Sequence, residues 1–248
     1  PVHDDDFPSI ALAHAQNDVV MVESFGPATQ SARLAAELQG LSSSLTVRTG
    51  DVAEVVTSLT SAGEKFDVVV MNPPRRGVSP AAREAIASHA GDVLVLYADT
   101  PLIRSRTLIG LRGLLAAGAG VGVLGFAPAD PTGYGRLLTD ATGRLTAIRE
   151  EKDASETERA VGLCNSGVMA FRCQDLAGLL GRIGNANAKG EYYLTDAVEL
   201  GRAVGLEARI VVGEESEVLG VNSRVQLAEA EGEVGVAPAV RCAHAREP

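Results

Sequence analysis

The chain has 248 residues, a formal net charge of −10 and a hydrophobic content of 46%. A chain of this length and composition can bury a sizeable core in one large domain or two small ones, and we expect a soluble globular protein. The acidic balance argues against a broad nucleic-acid-binding surface, and no apolar run reaches the roughly 18 residues that a membrane span needs.

Cysteine usage indicates a reduced compartment. Cys164, Cys173 and Cys242 are an odd number without CxxC spacing, and no basic leader precedes an apolar stretch. We therefore expect structural thiols in a cytoplasmic protein, instead of a disulfide framework.

The first third of the sequence alternates strand and helix patterns. The predicted elements are strands at residues 19–23, 45–48 and 66–71 and helices at residues 26–40 and 52–59. Gly26-Pro27 favours the start of the first helix, and Gly40 favours its stop. This order predicts a βαβαβ unit with parallel strands.

The rest of the sequence continues the alternation. It predicts helices at residues 80–90 and 104–115 and strands at residues 93–96, 121–126, 144–149 and 167–171. A last helix is expected to begin at a capping Asp196, with Glu199 near its positive end and Gly205 at its stop. Together these patterns predict an α/β protein with three layers and a mostly parallel, Rossmann-like sheet.

Asp99 follows the apolar run Val93-Leu94-Val95-Leu96, which is typical of a strand covered on both faces. Pro101 disfavours a helix at Thr100, so the chain turns sharply beside this carboxylate. Open α/β sheets bind nucleotides and metals at the carboxyl ends of their strands. Asp99 is therefore a candidate metal ligand, with a plain helix cap as the alternative.

A series of motifs follows Asp99 along the chain. They are Asp130-Pro131-Thr132-Gly133-Tyr134-Gly135-Arg136, Glu150-Glu151-Lys152-Asp153-Ala154, Asn165-Ser166-Gly167, Lys189-Gly190-Glu191-Tyr192-Tyr193-Leu194-Thr195-Asp196 and Gly220-Val221-Asn222. With these motifs, residues 82–231 resemble the uridyltransferase domain of bacterial N-acetylglucosamine-1-phosphate uridyltransferases. The resemblance implies a nucleotide-diphospho-sugar transferase-like fold. It also implies that UTP and N-acetylglucosamine 1-phosphate react to give pyrophosphate and UDP-N-acetylglucosamine, a peptidoglycan precursor.

The same resemblance implies roles for single residues. Asp99 and the side-chain carbonyl of Asn222 would be the two protein ligands of Mg²⁺, which prefers hard oxygen donors. Contacts with the sugar phosphate and the uridine nucleotide would come from Tyr97, Gly135, Glu150, Asn165, Tyr193, Thr195 and Asn222. The residues alone allow other roles: a turn at Asn222, a solvated charge run at residues 150–153, and packing or helix capping at Tyr193 and Thr195.

The sequence departs from this family where the nucleotide would bind. The family's glycine-rich Leu-Ala-Ala-Gly loop, with its arginine and lysine, and its uracil-binding glutamine have no counterpart before Asp99. Loss of a positive clamp costs phosphoryl transfer about 10³ to 10⁵ in rate. We therefore expect a retained sugar-phosphate and magnesium half-site with little turnover.

Residues 17–87 resemble a second family, the RNA uracil-C5 methyltransferases. The similarity lies in three motifs: Val19-Val20-Met21-Val22-Glu23, Thr49-Gly50-Asp51 and Asn72-Pro73-Pro74-Arg75-Arg76-Gly77. It implies remnants of an S-adenosylmethionine site at Glu23, Asp51 and Asn72, with strand-end or capping roles as the alternative. The glycine turn of that cofactor site is absent before Val19. Cys164-Asn165-Ser166 lacks the proline of that family's nucleophile motif, so we interpret Cys164 as a buried thiol.

Three functions stay open from the sequence: a uridyltransferase, a fragment of an S-adenosylmethionine-dependent RNA methyltransferase, and a chimeric α/β protein without catalysis. The predicted organisation is a methyltransferase-like segment at residues 1–87, a uridyltransferase-like region at residues 82–231 and an unassigned tail at residues 232–248. The shared run Ala81-Ala82-Arg83-Glu84-Ala85-Ile86-Ala87 marks the junction. The sequence does not indicate an oligomeric state.

Overall fold

The computed structural model describes residues 18–72, 79–87, 91–97, 100 and 102–221. In chain order the elements are β1 Val19–Glu23, α1 Gly26–Leu38, β2 Leu45–Thr49, α2 Val52–Ser61, β3 Val68–Met71, α3 Pro80–Ala87, β4 Asp92–Val95, α4 Ser105–Ala116, β5 Val121–Phe126, β6 Arg136–Thr139, β7 Leu145–Arg149, α5 Glu156–Arg159, β8 Cys164–Arg172, α6 Cys173–Leu180, α7 Ala197–Ala203 and β9 Ala208–Val212. Two 3₁₀ turns, Leu194–Asp196 and Glu215–Val218, precede α7 and follow β9. No helix in these ranges is long and apolar enough to cross a bilayer.

The main sheet has the strand order β3-β4-β8-β5-β9. Strand β3 is parallel to β4 and β5 is parallel to β9, whereas β8 runs antiparallel between β4 and β5. Strands β6 and β7 form an antiparallel pair that joins the sheet at the start of β8. In the order β3-β4-β8-β5-β9, every strand except β8 therefore points the same way. The sheet is mixed but mostly parallel in strand direction, as predicted.

Helices cover both faces of the main sheet. Val93 and Val95 of β4 lie in one buried cluster, which contains residues of α3, α6 and α7. The alternate residue Leu94 lies in a second cluster with Leu111 and Leu115 of α4. Because successive residues of a strand point to opposite faces, the apolar run of β4 fills two cores at once. This arrangement confirms the three-layer α/β fold.

The first segment divides between two sheets. Strands β1 and β2 pair in parallel, as predicted, and form a two-stranded sheet covered by Ala35 and Ala36 of α1. The described part of β3 does not join them and pairs instead with β4, in the register Val68↔Asp92 to Met71↔Val95. The predicted βαβαβ unit is thus not one continuous sheet within the described residues, because its third strand completes the edge of the main sheet.

Every predicted strand and helix occurs in the described ranges, with ends shifted by a few residues. Strand β8 is longer than the prediction at residues 167–171, because it begins at Cys164. Sequence analysis does not predict β6, α5, α6 or β9. Helix α6 follows β8 without an intervening turn, so no glycine or proline marks the change of structure. The short strand β6 depends on its pairing with β7 and β8.

The predicted cap of α7 is wrong. Asp196 makes no capping hydrogen bond through its side chain, and its backbone is helical, with φ −63° and ψ −20°. The chain enters α7 through the 3₁₀ turn, whereas an N-cap residue has an extended backbone. The predicted stops at Gly40 and Gly205 are confirmed by their positive φ angles of 69° and 84°.

Gly91 lies where the two segments meet. A Cβ atom at this position would approach the carbonyl carbon of Asp67 and the oxygen of Phe66 to 2.6 Å. The neighbouring amide of Asp92 donates to the Asp67 oxygen at 3.0 Å, and this bond begins the β3–β4 pairing. The contact involves backbone on both sides, so it cannot be relieved by a side-chain rotation.

We expect Gly91→Ala to lower the free energy of unfolding by about 2 kcal/mol or more, because β3 must move away from β4. Urea denaturation measures this change. Gly113→Ala is the matched control, since Gly113 lies in α4 with open space around it, and it should gain up to about 1 kcal/mol. Equal effects of the two substitutions would contradict this account of the junction.

Candidate functional site

The candidate site lies at one edge of the main sheet. Strands β4 and β5 end there, and the antiparallel β8 begins there, since Cys164 pairs with Phe126. Strand β6 begins and β7 ends at the same edge, where Arg136 pairs with Arg149. Residues from four distant motifs, Tyr97, Gly135, Glu150 and Asn165, therefore emerge at one place.

Gly135 contacts two of the other predicted residues. Its carbonyl accepts a hydrogen bond of 2.8 Å from the amide of Asn165. A Cβ atom on Gly135 would lie 3.4 Å from Oε1 of Glu150 and 3.4 Å from a methyl group of Ile148. These distances are at the limit of ordinary van der Waals contact, so glycine lets the backbone just before β6 approach the carboxylate closely.

Thr195 completes the group from another element. It lies in the 3₁₀ turn before α7, is 8% exposed, and its hydroxyl donates to Oε1 of Glu150 at 3.3 Å. Glu150 is thus held between the Gly135 backbone and the Thr195 hydroxyl. It is not part of a solvated charge run.

Burial dominates the electrostatics of Glu150. Desolvation raises the pKa of this carboxyl, the Thr195 hydrogen bond and the Lys189 charge oppose the shift, and the negative charges of Asp153 and Asp196 add to it. Burial also raises the pKa of Asp196, and the nearby Glu199 charge adds to this shift. Both carboxyls are partly removed from water, which favours a ligand that brings hydroxyl or amide donors.

Tyr97 and Asn165 meet at Gly167 of β8. The Gly167 amide donates to Oδ1 of Asn165 at 3.1 Å. Gly167 has a φ angle of 88°, and a Cβ atom there would overlap the Tyr97 ring. The ring of Tyr97 therefore packs on bare backbone and is 38% exposed. It forms one wall beside the Asn165 amide.

Tyr193 lies at the acidic end of this group. Its hydroxyl is buried and has no hydrogen-bond partner in the described ranges, and its ring centroid is 6.0 Å from Nζ of Lys189. Burial raises the pKa of Tyr193, and the charges of Asp153 and Glu150 raise it further. The hydroxyl is therefore a protonated donor at neutral pH.

Two charged side chains are buried although the sequence does not predict it. Arg136 is 2% exposed, and Glu217 is 1% exposed. The Glu217 carboxylate accepts from the Thr107 hydroxyl at 2.5 Å and from the Arg104 amide at 3.3 Å, so it joins the turn after β9 to the start of α4. Charged side chains of this kind normally face solvent, and no pattern in the sequence marks these two as buried.

The proposed metal ligands cannot be placed. Asp99 and Asn222 lie outside the described residues. Arg75 and Arg76, from the methyltransferase-like motif, also lie outside them. Among the residues that are described, no group of three or more His, Cys, Asp or Glu side chains could hold a metal ion. The magnesium site stays a prediction from the resemblance.

The proposed S-adenosylmethionine remnants have local structural contacts. Asp51 caps α2 by accepting from the Ala53 and Glu54 amides at 2.9 and 3.2 Å, which confirms its capping role. Glu23 accepts from the Phe25 amide at 2.8 Å, and Asn72 is exposed after β3.

Cys164 is fully buried, and burial raises the pKa of its thiol. The interpretation of Cys164 as a buried thiol is confirmed.

Three curated proteins that are similar to this chain have the name bifunctional protein GlmU. The protein from Azorhizobium caulinodans is 66% identical over 151 residues, which cover 61% of this chain and 34% of the relative. The protein from Xanthobacter autotrophicus is 57% identical over 181 residues, covering 73% and 40%. The protein from Bradyrhizobium diazoefficiens is 45% identical over 201 residues, covering 80% and 44%. This chain thus spans less than half the length of these relatives.

Solved structures show the same fold at low identity. A 4-diphosphocytidyl-2C-methyl-D-erythritol synthase has a TM-score of 0.51 and 13% identity, covering 93% of this chain and 87% of that chain. A CMP:2-keto-3-deoxy-manno-octonic acid synthetase complexed with CTP has a TM-score of 0.52 with the same identity and coverage. No protein-family model matches the chain. The similarities support the uridyltransferase-like part of the sequence, and they give no support to the methyltransferase-like part.

We expect Glu150→Gln to raise the melting temperature at pH 7 and to leave it nearly unchanged at about pH 4. The folded-state pKa of Glu150 lies above its ordinary value of 4.5. The stability of the protonated form is therefore present below that value and is lost as the pH rises through the folded pKa. Thermal melts across this pH range measure the effect.

Glu64→Gln is the matched control, since Glu64 is an exposed acid in the loop after α2. The same gain at both pH values, or a gain shared with Glu64→Gln, would contradict the burial cost at Glu150.

Proposed function

We propose that this chain is a sugar-nucleotide uridyltransferase that binds the N-acetylglucosamine 1-phosphate part of UDP-N-acetylglucosamine at the edge of the main sheet. One observation carries the proposal: Gly135, Glu150, Asn165 and Thr195 come from four separate sequence motifs, and hydrogen bonds or close contacts link them into one group. The similarity to bifunctional GlmU proteins, at 45–66% identity, supports the same conclusion.

The group suits the sugar ring of this ligand, which is uncharged and rich in hydroxyl groups. A half-buried carboxylate at Glu150 accepts hydrogen bonds from sugar hydroxyls, and the Asn165 amide can both donate and accept. The absence of a side chain at Gly135 lets the backbone lie against the Glu150 carboxylate, so the two groups can face the sugar together. The exposed face of the Tyr97 ring offers an apolar surface beside this group, as sugar rings need.

In the proposed reaction, a phosphate oxygen of N-acetylglucosamine 1-phosphate attacks the α-phosphorus of UTP. A new phosphorus–oxygen bond forms, the bond between the α- and β-phosphates breaks, and pyrophosphate leaves. Asp99 and Asn222 would hold Mg²⁺, which neutralises phosphate charge when it is bound. Because the sequence lacks the family's glycine-rich loop, we propose ligand binding with slow turnover.

Calorimetric titration with UDP-N-acetylglucosamine in the presence of Mg²⁺ tests the proposal. We expect binding by the wild-type chain. Gly135→Ala should weaken it about tenfold or more, because the new methyl group presses on the Glu150 carboxylate that would bind the sugar. Gly162→Ala is the matched control, since Gly162 has nothing within 4 Å of its Cβ position.

Two results would overturn the proposal. One is heat of binding with S-adenosylmethionine and no heat of binding with the sugar nucleotide. That result would favour the alternative function, a methyltransferase fragment. The other is no binding of either ligand by a folded chain, which would favour a protein without this activity. An equal loss of affinity in Gly135→Ala and Gly162→Ala would remove Gly135 from the site.

A further inference from the structure

Arg136 is a buried charge beside the site. It is the first residue of β6, directly after Gly135, and its side chain is 3% exposed. Its Nη2 atom lies 2.8 Å from Oε2 of Glu151, its Nε atom donates to the Arg159 carbonyl at 3.2 Å, and its Nη1 atom donates to the Tyr134 carbonyl. The guanidinium thus contacts three separate points of the chain.

These contacts hold the segment that carries Glu150. Glu151 follows Glu150 directly, and Arg159 closes the same segment by donating from its Nε atom to the Glu151 carbonyl at 3.1 Å. Between them, Ser155 and Glu158 form a capping box at the start of α5. The segment from Glu150 to Arg159 is therefore fastened to the start of β6 by one guanidinium.

A buried ion pair with its hydrogen bonds is a poor way to increase the free energy of unfolding. Removing a guanidinium from water is costly, and well-packed apolar side chains of similar volume often stabilise a protein equally well or better. Arginine instead fixes the positions of its hydrogen-bond acceptors, because the N–H groups of its planar guanidinium point in set directions. The Glu151 contact is also not aligned as a hydrogen bond, since Oε2 has no hydrogen-bond partner within the described residues. The attraction there is between charges.

We infer that Arg136 is a positioning residue for the sugar site, and this inference rests on the proposed function. Through Glu151 and the Arg159 carbonyl it sets the position of the Glu150 carboxylate between the Gly135 backbone and the Thr195 hydroxyl. Arg136 itself cannot touch a ligand, because its side chain is enclosed by Tyr134, Glu151 and Arg159. Its effect on affinity must therefore pass through the segment that it holds.

Arg136→Lys and Glu151→Gln test this role. Lysine keeps the charge but loses the directed contacts, and glutamine keeps the shape of Glu151 but loses its charge. We expect each variant to raise the Kd for UDP-N-acetylglucosamine about tenfold, and the double variant to be little worse than either single variant, because both act on one network. Arg209→Met is the matched control, since it removes an arginine from a surface ion pair with Glu207.

Hydrogen exchange of the unliganded chain gives a second readout. In both variants the amides of residues 150–159 should exchange faster, while those of β5 stay protected. A merely structural role predicts a lower melting temperature with an unchanged Kd at a temperature where every variant is folded, and that result would overturn the inference. If Arg136→Lys does not fold, Glu151→Gln carries the test, because the Glu151 side chain is 29% exposed.

The two proposals fail in different ways. A wild-type chain that binds no sugar nucleotide refutes the proposed function, and the inference with it. A wild-type chain that binds, with Kd values for Arg136→Lys and Glu151→Gln equal to that of Arg209→Met, refutes only the positioning role.

Discussion

Strand β8 runs antiparallel between β4 and β5, and the candidate site depends on this one reversal. In a fully parallel sheet the start of a strand lies opposite the carboxyl ends of its neighbours. Here the start of β8 lies beside the ends of β4 and β5, so Gly167 contacts the Tyr97 ring and also donates to Asn165. The same edge receives the start of β6 and the end of β7. A shift of β8 by one residue would turn Asn165 to the opposite face of the sheet, away from the site, and would exchange the residues that β8 contributes to the two cores.

The site combines buried negative charge with a rigid frame. Glu150 is held in a place where burial disfavours its ionised form, so the folded chain carries a cost that a bound ligand with hydrogen-bond donors could offset. The frame around it consists of backbone at Gly135 and Gly167 and of a guanidinium held on several sides. Such sites are typical of proteins that give up some stability to keep a binding geometry.

The sequence predicts much of this arrangement for two different reasons. Apolar runs such as that of β4 and glycine stops such as Gly40 act locally, so their structure follows from neighbouring residues. The site residues Gly135, Glu150, Asn165 and Thr195 were found through the motifs of a resemblance, and their shared contacts agree with it. Composition and periodicity alone would not have separated Glu150 from a solvated charge run.

What the sequence does not predict depends on contacts between distant residues. Arg136 and Glu217 can be buried because residues elsewhere in the chain pair with them: Glu151 forms an ion pair with Arg136, and Thr107 donates a hydrogen bond to Glu217. No local sequence pattern predicts these contacts. Strand β3 belongs to the methyltransferase-like segment of the sequence, but it pairs with β4 and forms the edge of the main sheet. The cap at Asp196 fails because a 3₁₀ turn precedes α7.

The most direct test of the account is the set of amide resonances that shift when UDP-N-acetylglucosamine and Mg²⁺ are added to the isotopically labelled chain. The account predicts shifts centred on Gly135, Glu150, Asn165 and Thr195, with β1 and β2 unaffected. Shifts confined to the ends of β1 and β2, near Glu23 and Asp51, would contradict a sugar-nucleotide site at the edge of the main sheet. A folded chain with no shifts at all would contradict it equally.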